Sequence, residues 1–218
     1  MRGRDIQRYR ALWGGLWLIA TFPSLHLDIN DYPAVKSHLL SFGRERLEQA
    51  GQTLKDGSKS RKKTPHHWFE LQDTCAYHEE FREKKLFWMD LTERGRFAYE
   101  EGTMFCANTA YMVSGSSLKF LCAALNSDLI TWFIKNSALN SGMGIPRWVR
   151  FTVERLPIPM QTAEEQQPFI ELVNRIMFEL ASGPNADVSD FEDEISKGVY
   201  KLYELTPKEQ LSISSSVA

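Results

Sequence analysis

The spacing of apolar residues divides the first 160 residues into short strands and helices. Strands are predicted where β-forming or alternating apolar residues stand between turn residues, over residues 16–21, 85–91, 104–114 and 147–153. One helix is predicted over residues 31–49, and another from Ser116 or Ser117 through the apolar stripe that ends at Trp132. Residues 51–67 are polar and lack apolar periodicity, so they predict a mobile surface loop.

Beyond residue 160 the pattern is helical only. A Ser or Thr followed by Glu three residues later is the spacing of a capping box, and it starts two amphipathic helices, at Thr162 with Glu165 and at Ser189 with Glu192. A Gly-Pro dipeptide ends the first of them. Residues 206–209 predict one further helical turn. The serine-rich tail after it predicts disorder.

These elements together predict an α+β fold, in which a mixed sheet with packed helices is followed by a C-terminal helical segment. The expected division is a main domain over residues 1–160, a helical segment over residues 161–212 packed on it, and a disordered tail over residues 213–218.

Composition narrows the class of protein. The chain has 218 residues, 43% of them hydrophobic and 25% charged, as in an ordinary globular protein with a buried core. No apolar run approaches the roughly 20 residues that a membrane span needs, and no signal-peptide pattern is present. We therefore expect a cytoplasmic protein with no membrane partner. Cys75, Cys106 and Cys122 lack regular spacing, which predicts reduced thiols.

Charge is distributed unevenly along the chain. Residues 161–218 carry four Lys and Arg against eleven Asp and Glu, a net charge of −7. The remaining 22 basic and 17 acidic residues give residues 1–160 a net charge of +5. The basic residues cluster at two places: Arg2, Arg4, Arg8 and Arg10, and then Lys55, Lys59, Arg61, Lys62 and Lys63. Such clusters suit a polyanion, although solvated surface is the common alternative.

Two sets of residues are candidates for metal chemistry. His66, His67, Cys75 and His78 are zinc-ligand types but lack the paired spacing of a zinc site. Asp73, Glu83 and Lys85 fit the loose acid, acid-x-Lys pattern of Mg²⁺-dependent nucleases. The alternative for Lys85 is an edge lysine that protects its strand from pairing.

Two of the six tryptophans lie beside basic residues. Trp68 follows the second basic cluster, and Trp148 lies between Arg147 and Arg150. Aromatic side chains next to cations can stack on nucleic-acid bases, so both are candidates for a nucleic-acid surface, with burial in the core as the alternative.

The order of several short motifs resembles one known family. These motifs are Arg2-Gly3-Arg4-Asp5-Ile6, Ile29-Asn30-Asp31-Tyr32-Pro33, Trp68-x-Glu70-Leu71, Asn108-Thr109-Ala110-Tyr111, Leu125-Asn126-Ser127, Leu156-Pro157-Ile158-Pro159 and Val199-Tyr200-x-Leu202-Tyr203. In this order they resemble the TaqI-like C-terminal specificity domain, the target-recognition module of type IIG restriction-modification enzymes and related adenine-specific DNA methyltransferases.

The resemblance implies a function for the chain as part of a larger enzyme. It would be a C-terminal fragment that grips double-stranded DNA while a methyltransferase domain, using S-adenosylmethionine, methylates a flipped adenine. Restriction by the parent enzyme would also require Mg²⁺. The chain lacks the Asn-Pro-Pro-Tyr tetrapeptide that holds the target amine, so no catalytic residue or cofactor site is expected here. The alternatives are a protein-docking module that uses the acidic helices and the small Mg²⁺-dependent nuclease.

The predicted DNA contacts fall into two groups. Phosphate contacts are expected from clustered basic residues, namely Arg2, Arg4, Arg8, Arg10, Lys59, Arg61, Lys62 and Lys63. Further DNA contacts are expected from Trp68, Asn140, Arg147, Trp148 and Arg150, and among these a contact with a base edge is considered for Arg147. The family brings the Gly-rich turn over residues 140–144 close to DNA, so Arg147 could pair with a guanine edge. Alternatively, Arg147 only starts a strand and pairs with an acid such as Glu154.

Overall fold

The computed structural model describes residues 1–102, 104–137 and 144–217, which form two compact units. The larger unit comprises Met1–Leu16 with Glu80–Ala218, and the smaller unit is Trp17–Glu79. The strands are β1 (Ile6–Gln7), β2 (Arg10–Ala11), β3 (Lys85–Met89), β4 (Phe97–Glu100) and β5 (Ala110–Ser114). The α-helices are α1 (Pro33–Leu40), α2 (Arg44–Leu47), α3 (Leu118–Asn126), α4 (Asp128–Ser137), α5 (Arg150–Val153), α6 (Ala163–Ser182), α7 (Ser189–Leu202) and α8 (Pro207–Val217).

The larger unit is built around a three-stranded sheet in the order β4-β3-β5. Both pairings are antiparallel, and Leu86 lies opposite Tyr99 on one side and Val113 on the other. Residues 85–88 of the central strand are all buried, and the apolar run that marks β3 begins after Lys85, at Leu86. The predicted α+β class is confirmed. The described strands pair only in antiparallel fashion, whereas the sequence predicted a mixed sheet.

Helices α3, α6 and α7 supply most of the remaining core of the larger unit. Phe120 of α3 and Phe169 of α6 pack edge to face with ring centroids 5.4 Å apart. Val173 and Ile176 of α6 and Ile195 of α7 are fully buried. Their spacing is that of the apolar stripes predicted from the sequence, which is confirmed for both helices. None of the described helices is both long and apolar enough to cross a membrane.

The two predicted capping boxes have different outcomes. At α6 the box is confirmed: Glu165 donates its N–H to the Thr162 hydroxyl, and its carboxylate accepts the Thr162 N–H at 2.8 Å. At α7 the prediction is wrong. Ser189 is already inside the helix and donates its N–H to Asp187, while the Glu192 carboxylate has a distant partner described below.

The end of the chain is helical where disorder was predicted. Helix α8 continues to Val217, because its apolar side chains are buried: Ile213 belongs to the core of the larger unit, and Val217 is buried one turn further on. A capping box of Thr206 and Glu209 starts this helix, with the Glu209 carboxylate accepting the Thr206 N–H at 2.8 Å. The single turn expected from residue 206 onward is therefore three turns long.

Two predicted strands are absent from the described residues. Residues 16–21 are irregular, and Trp17 is 87% exposed, because this apolar run has no neighbouring strand to pair with. Residues 147–153 contain one isolated bridge, between Arg147 and Leu91, and then the one-turn helix α5. Arg150 and Glu154 form an ion pair with the i,i+4 spacing of a helix. The strand prediction used only the alternation of apolar residues and did not take this pair into account.

The smaller unit has its own small core, formed by Ile29, Trp68 and Phe69 with apolar side chains of α1 and α2 around it. The helix predicted over residues 31–49 is interrupted between α1 and α2. Gly43 has φ +86° at this break, a backbone conformation that glycine adopts without strain.

Candidate nucleic-acid interface

Arg8, predicted as a phosphate contact, joins three other segments of the larger unit. Its side chain is only 19% exposed. Nε donates to Glu192 Oε1 at 2.7 Å, Nη1 to the Gly95 carbonyl at 2.9 Å, and Nη2 to the Asn126 carbonyl at 2.8 Å. The prediction for Arg8 is wrong, because both ends of its guanidinium are directed at acceptors inside the protein. Its neighbour Tyr9 is 1% exposed with φ +62°, and burial raises the pKa of its phenol.

The guanidinium groups of the other three residues in the first basic cluster differ in how far they are free to bind a ligand. Arg2 binds Asp5 through two hydrogen bonds, Nε to Oδ2 at 3.0 Å and Nη2 to Oδ1 at 2.9 Å. This guanidinium lowers the pKa of Asp5 to about 2. Arg10 donates from Nη1 to the Leu180 carbonyl at 2.8 Å. Arg4 is exposed and has no hydrogen-bond or ion-pair partner among the described residues, so it alone has its whole guanidinium available for a ligand.

The second basic cluster lies on a narrow hairpin of the smaller unit, residues 49–64, where the sequence predicted a mobile surface loop. Thr53 and Lys59 form an antiparallel bridge, and Gly51 donates its N–H to the Arg61 carbonyl at 2.9 Å. The Arg61 guanidinium donates to the carbonyl of Glu70 at 2.9 Å, and burial lowers its pKa. Arg61 therefore fixes the base of the hairpin, which reduces its availability to a phosphate.

The lysines of this hairpin have no such internal role. Lys55, Lys59, Lys62 and Lys63 are exposed, and none has an ion-pair partner within the described part of the chain. Gln49 supports the segment that carries them, because its amide donates to the carbonyls of His67 and Glu70, both at 2.9 Å. The result is a supported loop that presents four ammonium groups to solvent.

Both tryptophans predicted on a nucleic-acid surface are buried, so those predictions are wrong. Trp148 is 1% exposed, and its indole N–H donates to the Thr92 carbonyl at 2.8 Å. Trp68 is 7% exposed in the core of the smaller unit, with the Arg44 guanidinium 5.0 Å from its ring centroid. A buried indole has no face available for a base, and flanking basic residues carry no information about burial.

The remaining candidates lie near the end of the predicted recognition region. Arg147 is paired with Asp90 rather than with Glu154, through Nε to Oδ1 at 3.2 Å and a second bond from Nη2. Arg150 pairs with Glu154 at 2.6 Å and stays largely exposed. Contact of either arginine with DNA stays a prediction. Asn140 lies outside the described residues.

The described residues give no support to the metal-site alternatives. They contain no cluster of three or more potential ligands, and His66, His67, Cys75 and His78 are all described. Lys85 is fully buried, and its ammonium donates to the carbonyls of Phe81 and Glu83 and to the Glu100 carboxylate, at 2.7, 2.9 and 2.6 Å. The three N–H donors of the ammonium group are all used in these bonds, so none is left to bind an attacking water. The edge-lysine interpretation is also wrong, since β3 is the central strand.

Two of the three thiols are also unsuited to nucleophilic chemistry. Burial raises the pKa of Cys122 to about 12 and that of Cys75 above its ordinary value. A thiol with a raised pKa is protonated at neutral pH and therefore a poor nucleophile.

A cavity of about 450 Å³ in the larger unit was missed by the sequence analysis. Residues 91–94 and Arg96, from the connection between β3 and β4, line it together with Arg8 and Ile145. No strand or site is predicted from the sequence between the strands expected over residues 85–91 and 104–114, so both β4 and the loop before it are findings of the structure. The sequence signal for a site here was Glu93-Arg94-Gly95-Arg96, because charged side chains around a glycine occur in ordered binding loops as well as in turns exposed to solvent.

Comparison with known proteins identifies the family. No curated protein matches the sequence significantly. The family model described as the TaqI-like C-terminal specificity domain matches residues 1–158, well over half of the chain. Of the motifs that carry the resemblance, those from Arg2 to Pro157 fall within the matched residues. The protein therefore belongs to the TaqI-like C-terminal specificity domain family, and it is a DNA-recognition domain of the restriction-modification type.

Proposed function

We propose that this domain grips duplex DNA on behalf of an adenine-N6 methyltransferase in a type IIG restriction-modification enzyme. A methyltransferase domain outside this chain binds S-adenosylmethionine and methylates an adenine flipped out of the duplex. Flipping breaks the stacking and pairing of the target base, so the flanking duplex has to be held by another surface. The recognition domain supplies that surface.

The lysine hairpin is the observation that supports DNA binding most directly. Four exposed ammonium groups lie within nine residues, on a loop held by side-chain bonds to the carbonyls of His67 and Glu70. None of the four lysines forms an ion pair with an acidic residue in the described part of the chain, and Asp56 of the same hairpin bonds to Ser58 instead. Lysine contacts to phosphate are independent of base sequence and release counterions from the duplex. The hairpin therefore supplies affinity, and recognition of bases has to come from elsewhere.

Two variants with equal charge change test the proposal. In the first, the hairpin lysines are all replaced by alanine, at Lys55, Lys59, Lys62 and Lys63. In the control, the four basic residues of the acidic helices are replaced in the same way, at Arg175, Lys197, Lys201 and Lys208. All eight side chains are exposed, so both variants should fold.

Affinity for a duplex of mixed sequence is measured for both variants by electrophoretic mobility shift at low salt. Loss of four phosphate contacts should weaken binding by the hairpin variant at least tenfold, whereas the control variant should bind as the wild type does. Equal losses in both variants would mean that only net charge matters and that the hairpin does not contact DNA. A protein partner whose binding depends on the control residues would instead favour the protein-docking alternative.

A further inference from the structure

The connection between β3 and β4 is fixed at three positions, residues 90, 92 and 95. The Asp90 carbonyl accepts the Trp148 N–H at 2.7 Å, and the Thr92 carbonyl accepts the Trp148 indole N–H at 2.8 Å. The Gly95 carbonyl accepts from Arg8 at 2.9 Å. A loop with this many anchors to buried or partly enclosed groups is held in one conformation before any ligand arrives.

Asn126 fixes the end of the connection where β4 begins. Its side-chain oxygen accepts the Phe97 N–H at 3.0 Å, and its amide N–H donates to the Phe97 carbonyl at 2.8 Å. Asn126 is fully buried and belongs to the Leu125-Asn126-Ser127 motif. Close packing extends to Gly95, where a Cβ atom would lie 2.5 Å from the Leu125 carbonyl oxygen. The motif therefore positions this loop.

The side chains between the anchors line the cavity and differ in their partners. Arg94 donates from Nη2 to Asp128 at 2.7 Å, which holds it against the wall. Glu93 and Arg96 are exposed, and neither has a hydrogen-bond or ion-pair partner within the described ranges. A fixed loop thus presents one acceptor and one donor with unmet hydrogen-bonding capacity at the same concave surface.

The chemistry of these two groups selects a base edge over a phosphate as the ligand. A phosphate site would place only donors and cations around the anion, and the Glu93 carboxylate would repel it. In the major groove, guanine offers two acceptors that match an arginine, and cytosine offers an amino group that a carboxylate accepts. We propose that Arg96 recognises guanine and Glu93 recognises cytosine in the DNA site of this domain. The inference rests on the proposed function, because it requires duplex DNA as the ligand.

Selection from a randomised duplex pool tests the assignment with the whole 218-residue chain. Bound duplexes are recovered at low salt and sequenced for the wild type, Arg96→Ala, Arg96→Lys and Glu93→Gln. Arg175→Ala is the control, since Arg175 is an exposed arginine of α6 outside the cavity. Lysine keeps the charge of Arg96 but not its planar pair of donors, so it separates base recognition from phosphate contact.

The wild type and Arg175→Ala should enrich the same motif. Both Arg96 variants should lose preference for guanine at one position by about tenfold or more, and Glu93→Gln should lose preference for cytosine. An unchanged motif in Arg96→Lys, with affinity lowered for every sequence in Arg96→Ala, would make Arg96 a phosphate contact and overturn the inference. DNA binding by the wild type without any enriched motif would overturn it too, while leaving the proposed function standing. Absence of DNA binding by the wild type would overturn both.

Discussion

Replacing Arg8 by alanine should destabilise the larger unit without acting through DNA. The guanidinium connects the β1–β2 turn to the Gly95 carbonyl, the end of α3 and Glu192 of α7 through three hydrogen bonds of 2.7–2.9 Å. The variant removes all three bonds and leaves the Glu192 carboxylate, whose side chain is 22% exposed, without its cation.

The magnitude follows from the loss of one partner of an enclosed ion pair. Such a loss costs about 3–5 kcal/mol when the pair is fully buried. Since about a fifth of each side chain reaches solvent, the lower end of that range applies, about 3 kcal/mol. This is a large part of the total stability of an ordinary domain, about 5–15 kcal/mol.

Urea unfolding followed by circular dichroism measures the effect. With a slope of about 2–3 kcal/mol per molar urea, the midpoint should fall by about 1–1.5 M. Hydrogen exchange should show lost protection at Phe97 and its neighbours in β4 and along α7, the segments that Arg8 joins. Arg4→Ala is the control from the same basic cluster and should leave the midpoint unchanged, because Arg4 is exposed and forms no ion pair with any described residue.

Glu192→Gln separates the ion pair from the other two bonds. The single variants should each be less stable than the wild type, and the loss in the double variant should be smaller than the sum, because the two groups interact directly. An Arg8→Ala protein with wild-type stability but weakened DNA binding would refute this reasoning and restore Arg8 as a phosphate contact.

Three further predictions test other parts of the structure. Lys85→Met should cost about 3–5 kcal/mol of unfolding free energy, because it removes the cation of a buried ion pair and leaves the Glu100 charge uncompensated by Lys85. Adding Glu100→Leu should recover part of the loss, and a single variant as stable as the wild type would contradict this. Arg2 lowers the pKa of Asp5 to about 2, so the pair stabilises the fold above about pH 4 and loses this contribution as the pH falls towards 2. The free energies of unfolding of the wild type and of Asp5→Asn should differ by about 1 kcal/mol above pH 4, and this difference should vanish between pH 4 and pH 2. With S-adenosylmethionine and duplex DNA, the chain alone should transfer no methyl group in a radiolabel assay, and any transfer would contradict the assignment of methylation to another domain.

Local sequence patterns predicted those elements whose determinants lie within a few residues of each other. The capping box at Thr162 is such a case, since both partners lie within one turn. The same spacing at Ser189 failed because the Glu192 carboxylate binds Arg8, which is 184 positions away. No pattern within residues 189–192 contains that information.

The candidate site shows the same limit. Basic clusters were visible in the sequence, but a cluster does not show which guanidinium bonds to the protein itself. Arg8 and Trp148 looked like surface residues because polar residues flank them, and the structure encloses both. The cavity could not be predicted, since it depends on Asn126 and Trp148 meeting a connection that is distant from them in sequence.

The dependence of duplex-DNA affinity on salt tests the central claim most directly. Binding of the 218-residue chain to a fluorescent duplex is measured by anisotropy between 50 and 200 mM salt, a range in which each phosphate contact adds about 0.9 to the slope of log affinity against log salt. Four hairpin lysines and Arg4 make five contacts and predict a slope of about −4.5, with weak absolute affinity. A slope near zero, or no binding at the lowest salt, would contradict the account of this chain as a DNA-gripping recognition domain.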